Sequence, residues 1–383
     1  MYIKSLHLMN FRCYNDFAID FDKRMTVLVG LNGRGKTAIL DAVELAMSGF
    51  DENPLSIGDK DIRKVPIREN KKIVRMVQDV PLEIEADFGK NKVYRSKARA
   101  GARSETTITG AFPKEKITNI FAYYGTDRMN YIVKLVKQPL SAFRGKFPVV
   151  KKAVDTLMKD YHITVDYNEK LKQFVVFDPV EGEQLISGVS DGARSVMGMV
   201  ADIAMQMALA NPEMGPEVIR LTPGIVIIDE IELHLHPGWH QKVLWVYQKL
   251  FPKIQFIVTT HSPQVLSTVM PKCIRILADD TNMVYIPEFS LGAESGQILR
   301  DIQHVENRAE NLPIVKCLNK YLDLVAQDKF DTPEALKLRK KLDAWSGGQD
   351  PILTRVDMDI RLYLALLSLH PLAAHQVHRV SLF

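Results

Sequence analysis

The sequence has few cysteines and lacks any long apolar run. Its three cysteines, Cys13, Cys273 and Cys317, lie far apart among the 383 residues and form no CxxC pair. This spacing argues against a disulfide framework or a zinc site and favours a reducing compartment, so we expect a cytoplasmic protein. No run of about 18 apolar residues occurs, and the first residues do not resemble a secretory signal, so we expect no contact with a membrane.

Neither sign of charge is strongly in excess. The formal net charge is +4 and the pI is ≈ 8.7, which is too mild a bias to indicate a nucleic-acid partner by itself. Two stretches, residues 60–75 and 90–103, are locally basic. Each is either an ordinary solvated surface or a patch for nucleic acid or an acidic partner, and the sequence leaves both interpretations open.

Apolar heptads that continue over several turns are also missing. Their absence argues against a long coiled-coil arm in the middle of the chain. We therefore expect residues 131–215 to form a globular, partly helical insertion. Over residues 149–161, the helical spacing predicts one apolar face, formed by Val150, Ala153, Val154, Leu157, Met158 and Tyr161.

The sequence does contain a glycine-rich segment between a short apolar strand and a helix. Residues 25–29 form the predicted strand, and apolar residues recur at helical spacing from Ala38 to Ala46. The segment between them, GLNGRGKT, has the P-loop pattern in its proper context. The residues predicted to bind a nucleoside triphosphate are Gly30, Asn32, Gly33, Gly35, Lys36 and Thr37.

The residue types of this segment suit a phosphate ligand. Glycines tolerate the backbone angles that let successive N–H groups wrap an anion. Lys36 offers a compact charge to the β and γ phosphates, and Thr37 offers a hydroxyl to Mg²⁺. The helix that follows points its positive end at the anion. The sequence therefore predicts ATP and Mg²⁺ as ligands.

A second motif, VSDGARS, precedes a long apolar helix. Ser190 is a good N-cap, Asp191 lies in the first turn, and Gly192 allows close approach. Such a helix end could bind a phosphate, but for the string taken by itself an ordinary capped helix is the better explanation.

Two further apolar strands end in polar residues. Residues 224–228 lead into Asp229 and Glu230, and residues 254–258 lead towards His261. Because ligands bind at the carboxyl edge of open α/β sheets, both ends are expected near the P-loop. We predict that Asp229 holds the coordination shell of Mg²⁺ through a water molecule, and that Glu230 orients and polarises the attacking water.

In this order, the motifs resemble the ATP-binding-cassette type ATPases of the SMC, RecF and overcoming-lysogenization-defect group. Besides GLNGRGKT and VSDGARS, the segments that carry the resemblance are Asn10-Phe11-Arg12, IVIIDEIELHLHP and VTTHSP. Within that group, the sequence looks most like the ATPase subunits of Septu antiphage defence, including their retron-associated form.

The resemblance implies a head-to-head homodimer with two sandwiched ATP molecules. The P-loop of one copy would then face Ser190, Asp191 and Gly192 of the other, and His261 would contact the γ-phosphate. It places Arg12 near the phosphates. The signature is VSDGA rather than LSGGQ, which suits the SMC-like branch and argues against a transporter motor.

The last hundred residues lack the separated acidic motifs of a Toprim nuclease domain, which some members of the group carry. Three helices are predicted there, over residues 312–325, 333–345 and 357–369; residues 370–383 have no interpretable pattern. They either pack as ordinary helices or dock a separate effector, which the resemblance suggests is an HNH nuclease. A reverse transcriptase with its RNA or DNA product is a further possible partner.

The predicted fold class is α/β, a P-loop NTPase of the ABC-ATPase type with an inserted mixed region and a C-terminal helical segment. We expect an ATPase domain over residues 1–290, with a Walker A lobe (1–130), a signature region (131–215) and a Walker B and His-loop lobe (216–290). Residues 291–383 follow as the helical region.

The sequence is compatible with three functions. The first is a slow, regulatory ATPase that controls a nuclease, the second is a scaffold that holds ATP without turnover, and the third is a DNA-repair ATPase of the RecF kind.

Overall fold

The computed structural model describes residues 1–69, 72–110, 117–130, 140–143, 145–278 and 283–369. The chain divides into two compact units, Met1–His304 and Val305–Phe383. The first unit extends past residue 290, where the sequence predicts the ATPase domain to end. Ile298 and Ile302 beyond that point are buried in its main core.

The strands and helices of the described residues are numbered in chain order. The strands are β1 Ser5–Phe11, β2 Tyr14–Asp20, β3 Met25–Val29, β4 Lys64–Glu69, β5 Lys72–Gln78, β6 Leu82–Asp87, β7 Asn91–Lys97, β8 Glu105–Gly110, β9 Ile120–Tyr124, β10 Thr164–Asn168, β11 Gln173–Asp178, β12 Gly182–Leu185, β13 Gly224–Ile228, β14 Ile254–Thr259, β15 Ile274–Leu277 and β16 Val284–Tyr285. The helices are α1 Lys36–Ser48, α2 Phe147–Leu157, α3 Asp191–Ala210, α4 Val218–Leu221, α5 Pro237–His240, α6 Val243–Leu250, α7 Pro263–Leu266, α8 Ser295–Asp301, α9 Pro313–Ala326, α10 Pro333–Ser346 and α11 Pro351–Leu369.

The central sheet of the first unit has the order β16-β15-β3-β14-β13-β9. Adjacent strands of this sheet are parallel to each other, except that β16 is antiparallel to β15. Strands β3, β13 and β14 are buried along their whole length, as expected for parallel strands covered on both faces. Because these strands are parallel, the residues that follow them meet at one edge of the sheet.

Alternate residues of these strands pack into two different cores. On one face, Ile225, Ile227 and Ile257 join α1 and the antiparallel sheet β2-β1-β6-β7-β8. On the other face, Val226 and Ile228 join α2, α3 and α6. This alternation follows from the strand geometry. The P-loop helix α1 shares its core with residues of both the central sheet and the antiparallel sheet.

The signature region consists of α2, α3 and the antiparallel sheet β10-β11-β12. The predicted apolar face over residues 149–161 is confirmed for Val150, Ala153, Val154, Leu157 and Met158, which are buried. Tyr161 is 39% exposed, so its assignment to that face was wrong. Residues 131–139 of the predicted region lie outside the described residues.

The polar segment between residues 51 and 79 contains a hairpin that the sequence pattern did not predict. Strands β4 and β5 pair antiparallel with a bulge after Ile67. Ile73, Val74, Met76 and Val77 are all exposed. Because neither face of β5 is buried, its apolar residues do not alternate with polar ones and give no strand signal.

The basic stretch 90–103 is partly a buried structural element. Strand β7 turns Arg95 and Lys97 inward, and their exposed fractions are 1% and 6%. Arg95 donates hydrogen bonds to the carbonyl of Leu45 and the hydroxyl of Ser48, at 2.6 and 2.9 Å, and to the carbonyl of Leu55. These two cations are therefore not available to nucleic acid.

The second unit contains the three predicted helices as α9, α10 and α11. The third begins at Pro351, six residues before its predicted start. An ion pair joins Arg339 of α10 to Asp357 of α11, and the buried residues of the unit are Leu318, Tyr321, Val325, Ala335, Leu342, Leu353 and Val356. Residues 370–383 lie outside the described residues. Among the described helices of both units, none combines the length and apolar character needed to cross a bilayer.

Candidate active site

A cleft opens at the carboxyl edge of the parallel sheet, where β3, β13 and β14 end. The P-loop follows β3, the acid pair Asp229 and Glu230 follows β13, and His261 comes two residues after β14. The parallel topology therefore brings the P-loop, the acid pair and the histidine together. The residues that line the cleft are Arg12, Cys13, Asn32, Gly33, Gly35, Lys36, Thr37, Ala38, Asp229, Glu230 and His261.

The P-loop has the backbone that a phosphate cradle requires. Gly33 and Gly35 have φ angles of 78° and 84°, which side-chain-bearing residues rarely adopt. A Cβ atom on Gly35 would also lie 2.5 Å from the Tyr14 hydroxyl and 2.6 Å from the Cys13 sulfur. Gly35 supplies no side-chain cap to α1, so the first N–H groups of α1 are left for an anionic ligand.

Lys36 folds back over the P-loop. Its ammonium donates hydrogen bonds to the carbonyls of Gly30 and Leu31, at 2.8 and 3.0 Å. Burial lowers the pKa of Lys36 below its ordinary value, and the nearby charges of Asp229, Glu230 and Glu232 oppose this effect. Among the described residues, the hydrogen-bond partners of this buried ammonium are neutral carbonyls, so its charge is well suited to an incoming polyanion.

Thr37 and Asp229 are hydrogen-bonded to each other. The Thr37 hydroxyl donates to Asp229 Oδ2 at 2.9 Å, and the Thr259 hydroxyl donates to Asp229 Oδ1 at 2.5 Å. The paired hydroxyl and carboxylate are hard oxygen ligands of the type Mg²⁺ prefers. Thr37 and Asp229 therefore fit a magnesium site beside the P-loop.

Glu230 has a strained backbone that is held from both sides. Its φ angle is 49°, an uncommon value for a residue other than glycine. The Glu230 N–H donates to the Thr259 hydroxyl at 2.7 Å, and its carbonyl accepts from Arg128 at 2.7 Å. Arg128 also donates to the Asp229 carbonyl at 2.6 Å and is 2% exposed. Burial lowers the pKa of Arg128.

His261 is fixed through its main chain. Its N–H donates to Glu232 Oε1 at 2.6 Å, while the other carboxylate oxygen of Glu232 accepts from Thr260 at 2.7 Å. On the opposite side of the residue, the Gln303 amide donates to the His261 carbonyl at 2.8 Å. Within the described part of the chain, the imidazole itself makes no hydrogen bond, so the ring can contact a ligand.

Arg12 lines the cleft, but acidic residues hold its guanidinium. Its Nε donates to Asp61 Oδ1 at 2.9 Å, and its Nη1 donates to Asp41 on α1. Burial lowers the pKa of Arg12, and the hydrogen bonds to the two acids outweigh this effect and raise it. Arg12 therefore braces the P-loop helix and already has two anionic partners.

Ser190, Asp191 and Gly192 do not line this cleft. Ser190 caps α3, as predicted, by accepting from the Ala193 N–H at 3.5 Å. Asp191 is ion-paired with Arg194. Gly192 packs so closely against the turn after β13 that an added Cβ would lie 2.6 Å from the His234 carbonyl oxygen. The signature helix therefore contacts the segment that carries Glu230.

Sequence reasoning missed three supporting residues: Arg128, Glu232 and Gln303. Arg128 follows the end of β9, the neighbour of β13, so its strand-end position was the available signal. Glu232 lies two residues after the predicted acid pair. Gln303 carries no local signal, because its contact with His261 joins residues 42 positions apart.

The comparisons with known proteins agree with this architecture. A family profile described as "AAA domain" matches residues 5–173. An SMC head bound to the C-winged helix domain of ScpA has a TM-score of 0.55 at 17% identity, and the match covers 76% of this chain and 99% of that structure. The structural similarity therefore concerns the fold.

The curated relatives include named defence ATPases. The chain is 36% identical over 172 residues to "Retron Ec83 probable ATPase" of Escherichia coli. The aligned segment covers 45% of this chain and 31% of that relative. It is 24% identical over 296 residues to "Septu protein PtuA" of Bacillus mycoides, and that alignment covers 73% of this chain and 41% of the relative. Septu PtuA of Bacillus thuringiensis matches at 22% identity over 79% of this chain and 84% of its own length.

The matched segments thus span less than half of the first two relatives. The AAA profile over residues 5–173, the SMC-head-like fold and the assembled P-loop, acid pair and histidine agree with one another. The chain contains a segment that matches an AAA domain, has a fold similar to that of an SMC head, and is similar in sequence to the named Septu and retron ATPases.

Proposed function

We propose that this protein is the regulatory subunit of an antiphage defence system of the Septu or retron type, and that it binds ATP and hydrolyses it slowly. The observation that carries the proposal is the convergence of Lys36, Thr37, Asp229, Glu230 and His261 on one cleft. Named Septu and retron relatives support the defence role.

In the proposed reaction, the P-loop backbone and Lys36 bind the phosphates, and Thr37 with Asp229 holds Mg²⁺. When bound, Mg²⁺ would neutralise part of the charge on the phosphate oxygens. Glu230 accepts a proton from the attacking water as the water attacks the γ-phosphorus, and the bond to the leaving ADP oxygen breaks. His261 donates a hydrogen bond to the γ-phosphate. The strained, doubly held backbone of Glu230 keeps its carboxylate in place for this step.

A second copy of the chain completes the site in this proposal. Ser190 and Asp191 are exposed and do not line the cleft of their own chain, which supports a role opposite the P-loop of a partner copy. Ser190→Arg places a bulky cation at that position. We expect it to abolish ATP-dependent dimers in sedimentation, whereas Thr156→Arg, an exposed position on α2, leaves them intact.

We further propose that the dimer controls a separate HNH-type nuclease, with the C-terminal unit as its docking region. The resemblance of the motifs to Septu and retron ATPases supports this partner, and it extends to a reverse transcriptase with its nucleic acid in the retron form. A DNA-repair role of the RecF kind is less well supported, because burial of Arg95 and Lys97 leaves fewer cations on the stretch that would bind DNA.

The test is a plaque assay in a bacterial host that carries the gene with its genomic neighbours. We expect protection that requires a neighbouring nuclease gene and is lost in Lys36→Ala. Protection that persists in Glu230→Gln would favour the scaffold that holds ATP without turnover. Protection by this chain alone, with every neighbouring gene deleted, would contradict control of a separate effector.

A further inference from the structure

Two side chains distant in sequence hold the main chain of His261, one on each side. Glu232 accepts the His261 N–H at 2.6 Å, and Gln303 donates to the His261 carbonyl at 2.8 Å. Up to Thr259, the main chain of β14 is hydrogen-bonded to its neighbouring strands. Beyond that point, the side chains of Glu232 and Gln303 take the place of those main-chain partners for His261. We name Glu232 and Gln303 the His261 clamp.

The two members of the clamp come from elements that are themselves well anchored. Glu232 follows the Glu230 turn, where the Ile231 N–H donates to the Thr259 carbonyl at 3.0 Å. Gln303 follows α8, whose Ile298 and the adjacent Ile302 are 1% and 2% exposed. The Gln303 N–H also donates to the Ile298 carbonyl at 3.2 Å. The clamp therefore joins two rigid elements to a short polar loop.

We propose that Gln303 is a positioning residue for ATP hydrolysis, and that it acts through His261 by fixing the peptide that carries the imidazole. The inference rests on the proposed function. The described structure gives the ring no hydrogen bond of its own, so its direction depends on the backbone. A γ-phosphate contact requires accurate placement of the donor, and loss of the amide donor would loosen that placement.

Gln303 is also the second-last residue of the first unit, which ends at His304. The hydrogen bond to His261 thus comes from the stretch of chain that leads into the C-terminal unit.

A double-mutant cycle in the 383-residue chain tests the inference. Gln303→Met keeps the length of the side chain and removes the donor. We expect kcat to fall about three- to tenfold, with the ATP dissociation constant unchanged. Gln303→Lys retains a donor of similar reach, so it should restore most of kcat. Gln241→Met, an exposed glutamine in the turn before α6, is the matched control and should have no effect.

The decisive arm places Gln303→Met in a His261→Ala background. Because Gln303 acts through His261, it should then cost nothing further. An equal loss of kcat in both backgrounds, or no loss in the otherwise unchanged protein, would overturn the inference. If His261→Ala itself leaves kcat intact while ATP still binds, the proposed role of His261 fails instead.

Discussion

The Thr37 hydroxyl donates a hydrogen bond of 2.9 Å to Asp229 Oδ2, although the two residues are 192 positions apart. This bond joins the first turn of the P-loop helix to the end of β13. It brings the two oxygen ligands proposed for Mg²⁺ together at the cleft. Phosphate binding, metal binding and water activation can therefore be tested separately, one residue at a time.

Lys36→Ala should weaken MgATP binding about 10- to 100-fold. The loss expected corresponds to one charge-assisted hydrogen bond, worth about 1.5–3 kcal/mol, and 1.4 kcal/mol is a tenfold change in affinity. Equilibrium titration with a fluorescent ATP analogue measures the effect. Lys170→Ala, at an exposed lysine far along the chain, is the control, and equal affinities of the two variants would contradict the site assignment.

ATP affinity should fall as the pH rises through the alkaline range. Burial lowers the pKa of Lys36 in the free protein, and a bound polyanion favours the charged form and raises it. ATP binding therefore takes up a proton between those two pKa values, and affinity falls above the lower one. Titrations from pH 7 upward measure this. Lys36→Arg remains charged, so the same decline in that variant would assign the effect to another group.

Gly192→Ala should destabilise the first unit by about 1–3 kcal/mol, the usual cost of overpacking. The added Cβ would meet the His234 carbonyl oxygen at 2.6 Å, and neither backbone segment can move freely. Gly188→Ala is a close control, because a Cβ there meets nothing within 4 Å. Denaturant unfolding compares the two, and equal midpoints would show that the contact does not constrain the signature helix.

Arg95→Met should lower the free energy of unfolding by at least about 2 kcal/mol. It removes three hydrogen bonds that the buried guanidinium donates to the Leu45 carbonyl, the Ser48 hydroxyl and the Leu55 carbonyl, and a hydrogen bond of a charged group contributes about 1.5–3 kcal/mol. Lys92→Met on the same strand breaks only an exposed ion pair with Glu85, which is worth about 0–1 kcal/mol. Similar unfolding midpoints for the two variants would mean that Arg95 is not structural.

Much of the fold was predictable because parallel strands that are buried on both faces have a strong pattern. Strands β3, β13 and β14 are continuous apolar runs, and the polar residues after them share one edge of the sheet. Together with the P-loop pattern, this rule predicted that Lys36, Asp229 and His261 lie near one another, whereas the role of His261 came from the resemblance.

The remaining features depend on contacts that no local pattern contains. Strand β5 of the hairpin exposes both faces, and its mixed sequence resembles a loop. Charge does not show which face of β7 is buried, so Arg95 looked like surface. Gln303 acts on His261 over 42 positions, and only the three-dimensional structure brings the two together.

The most direct test of the central claim compares ATP binding and ATP hydrolysis in Glu230→Gln. Glutamine keeps the shape of the side chain and removes the carboxylate that would accept the proton of water. We expect an unchanged ATP dissociation constant with hydrolysis reduced at least about 100-fold, the usual contribution of a general base. Hydrolysis at the rate of the unchanged protein would contradict the account.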